Sequence, residues 1–165
     1  MVNRLLWPKI AISVVTCLLI GFLGSLSTFE ALSSWYPALV KPAFNPPSWI
    51  FSPVWTTLYI MMGLAAALVW HEGWQKRVVR NALMLFLAQL LCNGLWSVVF
   101  FGMQSPGGAV FVIIILLLLI IFTIIRFFQL RKLAGYLMLP YILWVSFATV
   151  LNISIYLLNR SSELQ

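Results

Sequence analysis

The residues with most chemical scope in this chain are aromatic: 8 Trp, 12 Phe and 5 Tyr among 165 residues. Their faces stack on flat, apolar molecules, and each indole adds one N–H donor that seeks a partner when buried. Trp55, Trp96 and Trp144 lie within long uncharged stretches, where a polar partner or a ligand must receive that donor. Trp7, Trp70 and Trp74 stand beside charged residues at the ends of such stretches and suit a membrane-interface belt. Gln89, Asn93 and Trp96 follow at i, i+4 and i+7, which sets them on one helical face. Tyr141, Trp144, Ala148, Leu151 and Asn152 make a second stripe, in which small Ala148 beneath Trp144 leaves room for a flat ligand. The plainer readings are packing for the stripes and interhelical hydrogen bonding for Asn93, worth about 0.6 kcal/mol on average in a membrane.

Other chemistries lack their residues. The acids Glu30, Glu72 and Glu163 are far apart, His71 is the single histidine, and Cys17 and Cys92 fall where small apolar packing residues are expected. The chain has no phosphate-cradling glycine loop, no H-E-x-x-H and no G-x-S-x-G. No predicted span carries an acid or base at mid-membrane, which disfavours a charge-coupled pump. The reading therefore requires no cofactor. His71, beside Glu72, is read as interfacial. Leu151, Tyr156 and Arg160 meet the loose L-x-Y-x-R sterol pattern, although an interfacial Tyr and a snorkelling Arg explain the same residues.

The elements that must position these side chains are membrane spans. With 63% hydrophobic and 8% charged residues, the chain departs from soluble domains, where the shares are roughly 45–50% and about 25%. Charge-free runs extend from Ile10 to Phe29, Pro42 to Trp70, Asn81 to Ile125 and Leu133 to Asn159. About 20 helical residues cross a bilayer core of about 30 Å, so the third run, of 45 residues, holds two spans. Gly102, Pro106, Gly107 and Gly108 supply its break. An all-α membrane protein of five transmembrane helices follows, with spans near 9–28, 47–71, 80–101, 107–129 and 133–158 in a single domain, 1–165. A β-barrel would need shorter, alternating segments. The first span also has the look of a signal peptide, but its 20 uncharged residues exceed the usual apolar region of about 7–15.

Five spans place the termini on opposite sides. Arg4, Lys9, Lys76, Arg77, Arg80, Arg126, Arg131 and Lys132 then share one side, against Lys41 and Arg160 on the other. This bias predicts a cytoplasmic N-terminus. The net charge of +7 is thus an orientation signal, and the absence of an aromatic-interleaved basic patch argues against nucleic acid as a partner. Between the first two spans, Pro37, Pro42, Pro46, Pro47 and Pro53 forbid one regular helix. The loop 30–46 is expected to be a stiff lid over the bundle end, or else a plain interfacial connector. Gly63 and Ala67 form a small-x-x-x-small pair suited to close helix contact or a dimer seam.

The segments WYPALVKPAFNPPSWIFSPVWTTLY (Trp35 to Tyr59), AQLLCNGLWSVVFFG (Ala88 to Gly102) and PYILWVSFATVLN (Pro140 to Asn152) resemble, block by block, the signatures of the translocator protein family. Its members are also called tryptophan-rich sensory proteins (TspO) or peripheral-type benzodiazepine receptors. The resemblance covers the chain from the first helix on. It implies a five-helix bundle, often a homodimer, with one hydrophobic pocket under the first loop. Implied ligands are porphyrins such as protoporphyrin IX and haem, sterols in animal members, and synthetic benzodiazepine or isoquinoline carboxamide drugs. Carried over by position, the pocket residues are Tyr36 and Pro46 from the lid, Phe51, Trp55 and Tyr59 from the second span, Asn93 and Trp96 from the third, and Trp144, Ala148 and Leu151 from the fifth. Trp55 and Trp144 match the pair that some bacterial relatives use in light- and oxygen-dependent breakdown of protoporphyrin.

Two positions depart from the family pattern. Ile153 and Ser154 stand where animal members carry an aromatic in the sterol motif, and Ser105, Pro106, Gly107 and Gly108 open the fourth span where many relatives are bulkier. The first departure favours a prokaryotic cell membrane over an organelle membrane. The leading expectation is a receptor or transporter that captures a tetrapyrrole or other hydrophobic small molecule, for transport or sensing. The alternatives are a porphyrin-degrading enzyme, a sterol or lipid translocator, and a structural scaffold.

Overall fold

The structure is a computed structural model that describes residues 6–160; Arg4 and Glu163, which entered the charge reading, lie outside the described residues. Among the described residues the chain is helical and contains no strand. In chain order the helices are α1 (Leu6–Ser33), α2 (Trp35–Ala38), α3 (Phe51–His71, entered through a 3-10 turn, Ser48–Ile50), α4 (Arg77–Ser97), α5 (Pro106–Leu130), α6 (Lys132–Leu137) and α7 (Leu139–Asn159). Five helical segments are long and apolar enough to cross a membrane: Leu6–Ser33, Ser48–His71, Arg77–Gly102, Pro106–Leu130 and Lys132–Asn159. Backbone groups surrounded by lipid must bond within their own segment, and continuous helices meet that demand.

The boundaries show what ends a helix in this setting. α1 runs through Glu30 to Ser33, past the end of its charge-free run, because a single acid does not interrupt the hydrogen-bond ladder and no Pro or Gly follows until Pro37. The expected lid of 30–46 therefore begins later and contains the short helix α2. α4 continues into a π-helical turn, Val98–Gly102, closed by a bond from Met103 N–H to the Val98 carbonyl at 2.8 Å. The chain then reverses at Gln104, whose φ of +52° is in the left-handed region. Ser105 caps α5 by accepting from the Gly108 N–H at 3.3 Å, with Pro106 in the first turn where its missing donor is harmless. Gly107 and Gly108 lie inside α5, so the break is narrower than the Gly/Pro cluster that signals it. The last span is interrupted between α6 and α7, where Pro140 has no N–H to continue the ladder.

α1 packs along α3 and α4, α4 along α5, and α5 along α7, while α6 is wedged against α3 and α5. A dry core of Met62, Val69, Leu90, Ile113, Ile120 and Phe127 fills the half of the bundle away from the lid. Gly63 belongs to this packing: a methyl group there would lie 2.5 Å from the Val14 Cα. Gly63 and Ala67 are both buried within the protomer, Gly63 against Val14 of α1, so the pair presents no surface for a seam between copies. Cys17 is fully buried in the core, and Cys92 donates weakly to the Val112 carbonyl at 3.7 Å.

The basic residues within the described chain gather as the span order requires. Lys9 donates to the Trp70 carbonyl at 3.4 Å and lies 5.7 Å from that indole centroid, and Arg131 pairs with Glu72 at 3.4 Å. The start of α1, the α3–α4 turn and the α5–α6 junction therefore share one end of the bundle. The lid and Arg160 occupy the other.

Candidate functional site

Under the lid, α1, α3, α4 and α7 enclose a cavity of about 470 Å³, within the roughly 300–1,000 Å³ typical of ligand pockets. Nine of the ten pocket residues expected from the sequence line it: Tyr36, Phe51, Trp55, Tyr59, Asn93, Trp96, Trp144, Ala148 and Leu151. Pro46 does not. Its carbonyl accepts from the Asn45 side chain at 3.1 Å, so it shapes the loop behind the lining. Tyr156 and Arg160 also stand away: the Tyr156 ring lies against Gly107 at the start of α5, and Arg160 is exposed at the end of α7. Leu151 faces the cavity, on a different side of α7, so the three residues of the sterol pattern do not converge.

The lining is a set of aromatic faces. Trp55 stacks on Tyr59 at 5.7 Å between centroids and meets Tyr141 edge-on at 6.4 Å. Trp144 meets Phe51 edge-on at 6.0 Å, and Trp96 stacks on Phe100 at 5.5 Å. The π-helical turn brings Phe100 and Phe101 under the lid, where Phe101 approaches Tyr36 at 5.7 Å. Such turns insert one residue and re-aim the side chains around them.

Polar groups divide into those the fold satisfies and those it leaves free. Tyr59 donates to Asn93 Oδ1 at 2.6 Å, and Tyr141 donates to Gln89 Oε1 at 2.9 Å. Trp96 Nε1 donates to Asn152 Oδ1 at 3.0 Å, while Asn152 Nδ2 donates to the Pro106 carbonyl at 2.9 Å. Asn93 Nδ2, Trp144 Nε1 and Gln89 Nε2 are buried with no partner. A buried orphan donor costs about 1–3 kcal/mol, and two of these three, Asn93 and Trp144, line the cavity. Among the described residues the lining has no charged residue and no His, Cys or Met. It offers π faces and hydroxyls, with the Asn93 and Trp144 donors covered just behind its surface.

The roof is held by short-range bonds. Tyr36 donates to Asn45 Oδ1 at 2.9 Å, and Lys41 donates to the Pro37 and Leu39 carbonyls at 3.1 and 3.0 Å while its ammonium lies 4.8 Å from the Tyr36 ring. Burial holds the Tyr36 phenol above its ordinary pKa, so it remains a donor. At the end of α7, Asn159 accepts from the Val40 N–H at 3.0 Å and returns a bond to the Val40 carbonyl at 2.9 Å.

Sequence reasoning missed the contribution of α1, which supplies Leu18, Gly21, Phe22, Ser25, Thr28 and Phe29. These small and apolar types are as common on lipid-facing helices. A usable signal lies in the small residues Gly21, Gly24, Ser25 and Thr28, which let other helices approach.

Comparison with known proteins places the same blocks in a family. Residues 13–158 match the model of the TspO/MBR family. A tryptophan-rich protein TspO from Chlorobaculum tepidum is 46% identical over 91% of this chain and 95% of its own length. The protein of the same name from Archaeoglobus fulgidus is 41% identical over 92% and 97%. The human translocator protein is 36% identical over 79% and 78%. With its five apolar helices and their aromatic, lid-covered cavity, the chain is an integral, multi-pass membrane protein that belongs to the TspO/MBR family.

Proposed function

We propose that the cavity captures a flat tetrapyrrole, protoporphyrin IX or haem, and that the protein transports it or reports its level. Family membership supports the broader role of membrane receptor or transporter. The observation that carries the finer reading is the pair of buried, unpartnered donors, Asn93 Nδ2 and Trp144 Nε1, on the wall of an aromatic cavity. Neither donor atom is open to the cavity as the side chains stand, so a planar ligand with acceptors on its edge satisfies them through a turn of the Asn93 amide and the Trp144 ring, while it covers the indole faces. On a porphyrin those edge acceptors are the propionate carboxylates, so one propionate is directed at the two donors and the other belongs at the rim, since the lining offers no counter-charge. With no His, Cys or Met among the described lining residues, and with the Tyr36 and Tyr59 hydroxyls given to Asn45 and Asn93, the wall suits metal-free porphyrin at least as well as haem.

A second reading, light- and oxygen-dependent breakdown of the porphyrin, draws on Trp55 and Trp144 lining the same cavity. There the excited ligand supplies the chemistry and the indoles are its redox partners. A homodimer in a prokaryotic cell membrane, with the basic end cytoplasmic, completes the proposal.

The test is a dark titration of protoporphyrin IX into the detergent-solubilised protein, following tryptophan fluorescence, then illumination of the saturated sample. Saturable quenching near one porphyrin per chain, weakened in Trp55→Phe/Trp144→Phe, is expected. Quenching that never saturates, or is unchanged in the double variant, overturns the porphyrin reading. Loss of the Soret band only in the light, absent from the double variant, moves the degradation reading ahead.

A further inference from the structure

The cavity is closed toward the lid and open toward the membrane. On the lid side its lining is sealed, with Tyr36 at 4% exposure, Phe100 at 3% and Ile155 at 1%. Between α1 and α3 the lining is bare: Phe22 is 58% and Phe29 68% exposed, and Ser52 and Thr56 are exposed opposite them. The packing of α1 explains the gap. Its lower half is pressed on α3, through Val14 against Gly63 and Gly21 against the Tyr59 ring. Its upper half leans on α4: Ser97 donates to the Gly24 carbonyl at 3.0 Å, Thr28 meets the Ser97 hydroxyl at 3.0 Å, and Ser27 abuts Gly102. A helix that touches α3 below and α4 above leaves a wedge from α3 on the lid side.

The wedge lies at membrane depth. Phe22 and Phe29 are separated by about 10 Å along α1, and Thr56 lies about 8 Å inside the start of α3. Its flanks are apolar rings and hydroxyls, and Thr56 returns its own hydroxyl bond to the Ser52 carbonyl at 2.9 Å, so that group does not depend on water. Widening it takes only rotation of Phe22 and Phe29. Raising the lid instead breaks both bonds between Val40 and Asn159, whose side-chain amide pairs with that backbone as a neighbouring strand would. The Asn159 amide donates and accepts there at once, from two atoms set as in a peptide unit.

We infer that the ligand exchanges between the cavity and the lid-side leaflet of the bilayer through the α1–α3 wedge, while Asn159 keeps the lid latched. The inference rests on the binding reading above and adds the route and the source: a hydrophobic molecule dissolved in the membrane, not one taken from water. Asn159 is a positioning residue of the roof and touches no lining atom of the wedge.

The test uses the full chain in lipid nanodiscs, with protoporphyrin IX preloaded in the bilayer and stopped-flow tryptophan quenching in the dark. Thr56→Phe, and separately Ser52→Phe, narrows the wedge. Association and dissociation are expected to slow together, by fivefold or more, whereas mere damage to the site would speed dissociation. Asn159→Ala and Asn159→Asp, which unlatch the lid, are expected to leave both rates within twofold of wild type. Faster exchange in the Asn159 variants, with unchanged rates in the wedge variants, overturns the inference. Failure of the binding reading appears separately, as unsaturable quenching in the wild type. The wedge then keeps its own readout: phospholipid with a nitroxide on the acyl chain is expected to quench wild-type fluorescence more than that of Thr56→Phe, and equal quenching refutes it.

Discussion

Trp96 and Trp144 are both cavity tryptophans, yet their indoles are predicted to answer substitution by Phe in opposite ways. Trp96 Nε1 is spent on Asn152 Oδ1, a residue 1% exposed. Trp96→Phe leaves that oxygen without its donor, at about 1–3 kcal/mol, and the smaller ring leaves a void that adds roughly 1 kcal/mol. The expected destabilisation is about 2–4 kcal/mol. Trp144 Nε1 has no partner, so Trp144→Phe creates a similar void but removes an orphan donor of about 1–3 kcal/mol. Those two effects offset, and the stability of the ligand-free protein is expected to move by about 1 kcal/mol or less. The assay is reversible unfolding in mixed micelles of rising dodecyl sulfate fraction, followed by circular dichroism. Porphyrin affinity should reverse the ranking, falling roughly tenfold in Trp144→Phe, equivalent to about 1.4 kcal/mol, and less than threefold in Trp96→Phe. Equal destabilisation by the two substitutions, with binding intact in Trp144→Phe, would refute the division between spent and spare donors.

Gly63→Leu forces side-chain atoms into the Val14 backbone and is expected to destabilise by about 1–3 kcal/mol or more, with no specific shift in the dimer fraction measured by cross-linking; selective loss of dimer would restore the seam reading. Ala148→Leu fills space beneath Trp144 and should lower porphyrin affinity at least tenfold in the dark titration while changing stability by less than about 1.5 kcal/mol. Tyr36, with its pKa raised by burial, stabilises the fold below the unfolded phenol value of about 10, and that contribution is lost only as pH rises through the higher folded value. Porphyrin affinity is accordingly expected to be flat between about pH 6 and 9, and a break within that window would assign the lid to another group. Glu72→Gln removes an ion pair whose side chains are 55% and 30% exposed, so its effect on unfolding should not exceed about 1 kcal/mol.

The walls contributed by α3, α4 and α7 were legible because polar and indole groups are expensive in lipid and repeat at helical spacing only when they face inward. Asn93 and Trp96 on α4, and Trp144 and Asn152 on α7, stand out against runs of Leu, Ile and Val for that reason, whereas Ala148 and Leu151 follow only from their register with Trp144 and from the family resemblance. α1 gives no such contrast. Phe22 and Phe29 do the same in a cavity rim as on a lipid face, and only the approach of Tyr59 to Gly21 and of Ser97 to Gly24 distinguishes them. Asn159 was illegible for another reason. Near the end of a span an Asn is ordinary, and its partner Val40 is 119 residues away and offers only backbone. The π-helical turn likewise leaves no periodic trace, since Val98 to Phe101 are apolar on every side.

The distribution of polar groups explains why this cavity persists in a bundle whose other half is closely packed. Away from the lid, the core is filled by Met62, Ile113, Ile120 and Phe127, and apart from the Tyr141–Gln89 bond and the Thr123 hydroxyl it is held by dispersion and close helix approach, as at Gly63. Toward the lid, the contacts are specific and directional: Tyr59 to Asn93, Trp96 to Asn152, Asn152 to Pro106, Ser97 to Gly24. Such bonds fix helices at set spacings without filling the space between them, because an amide or indole reaches across the gap where an aliphatic contact would require it to close. Collapse of the walls would strand those same groups in a dry interior, a penalty larger per group than the packing regained. The bonded side chains are therefore the pillars of the cavity, and on the proposed reading the unbonded donors on Asn93 and Trp144 are what its occupant meets.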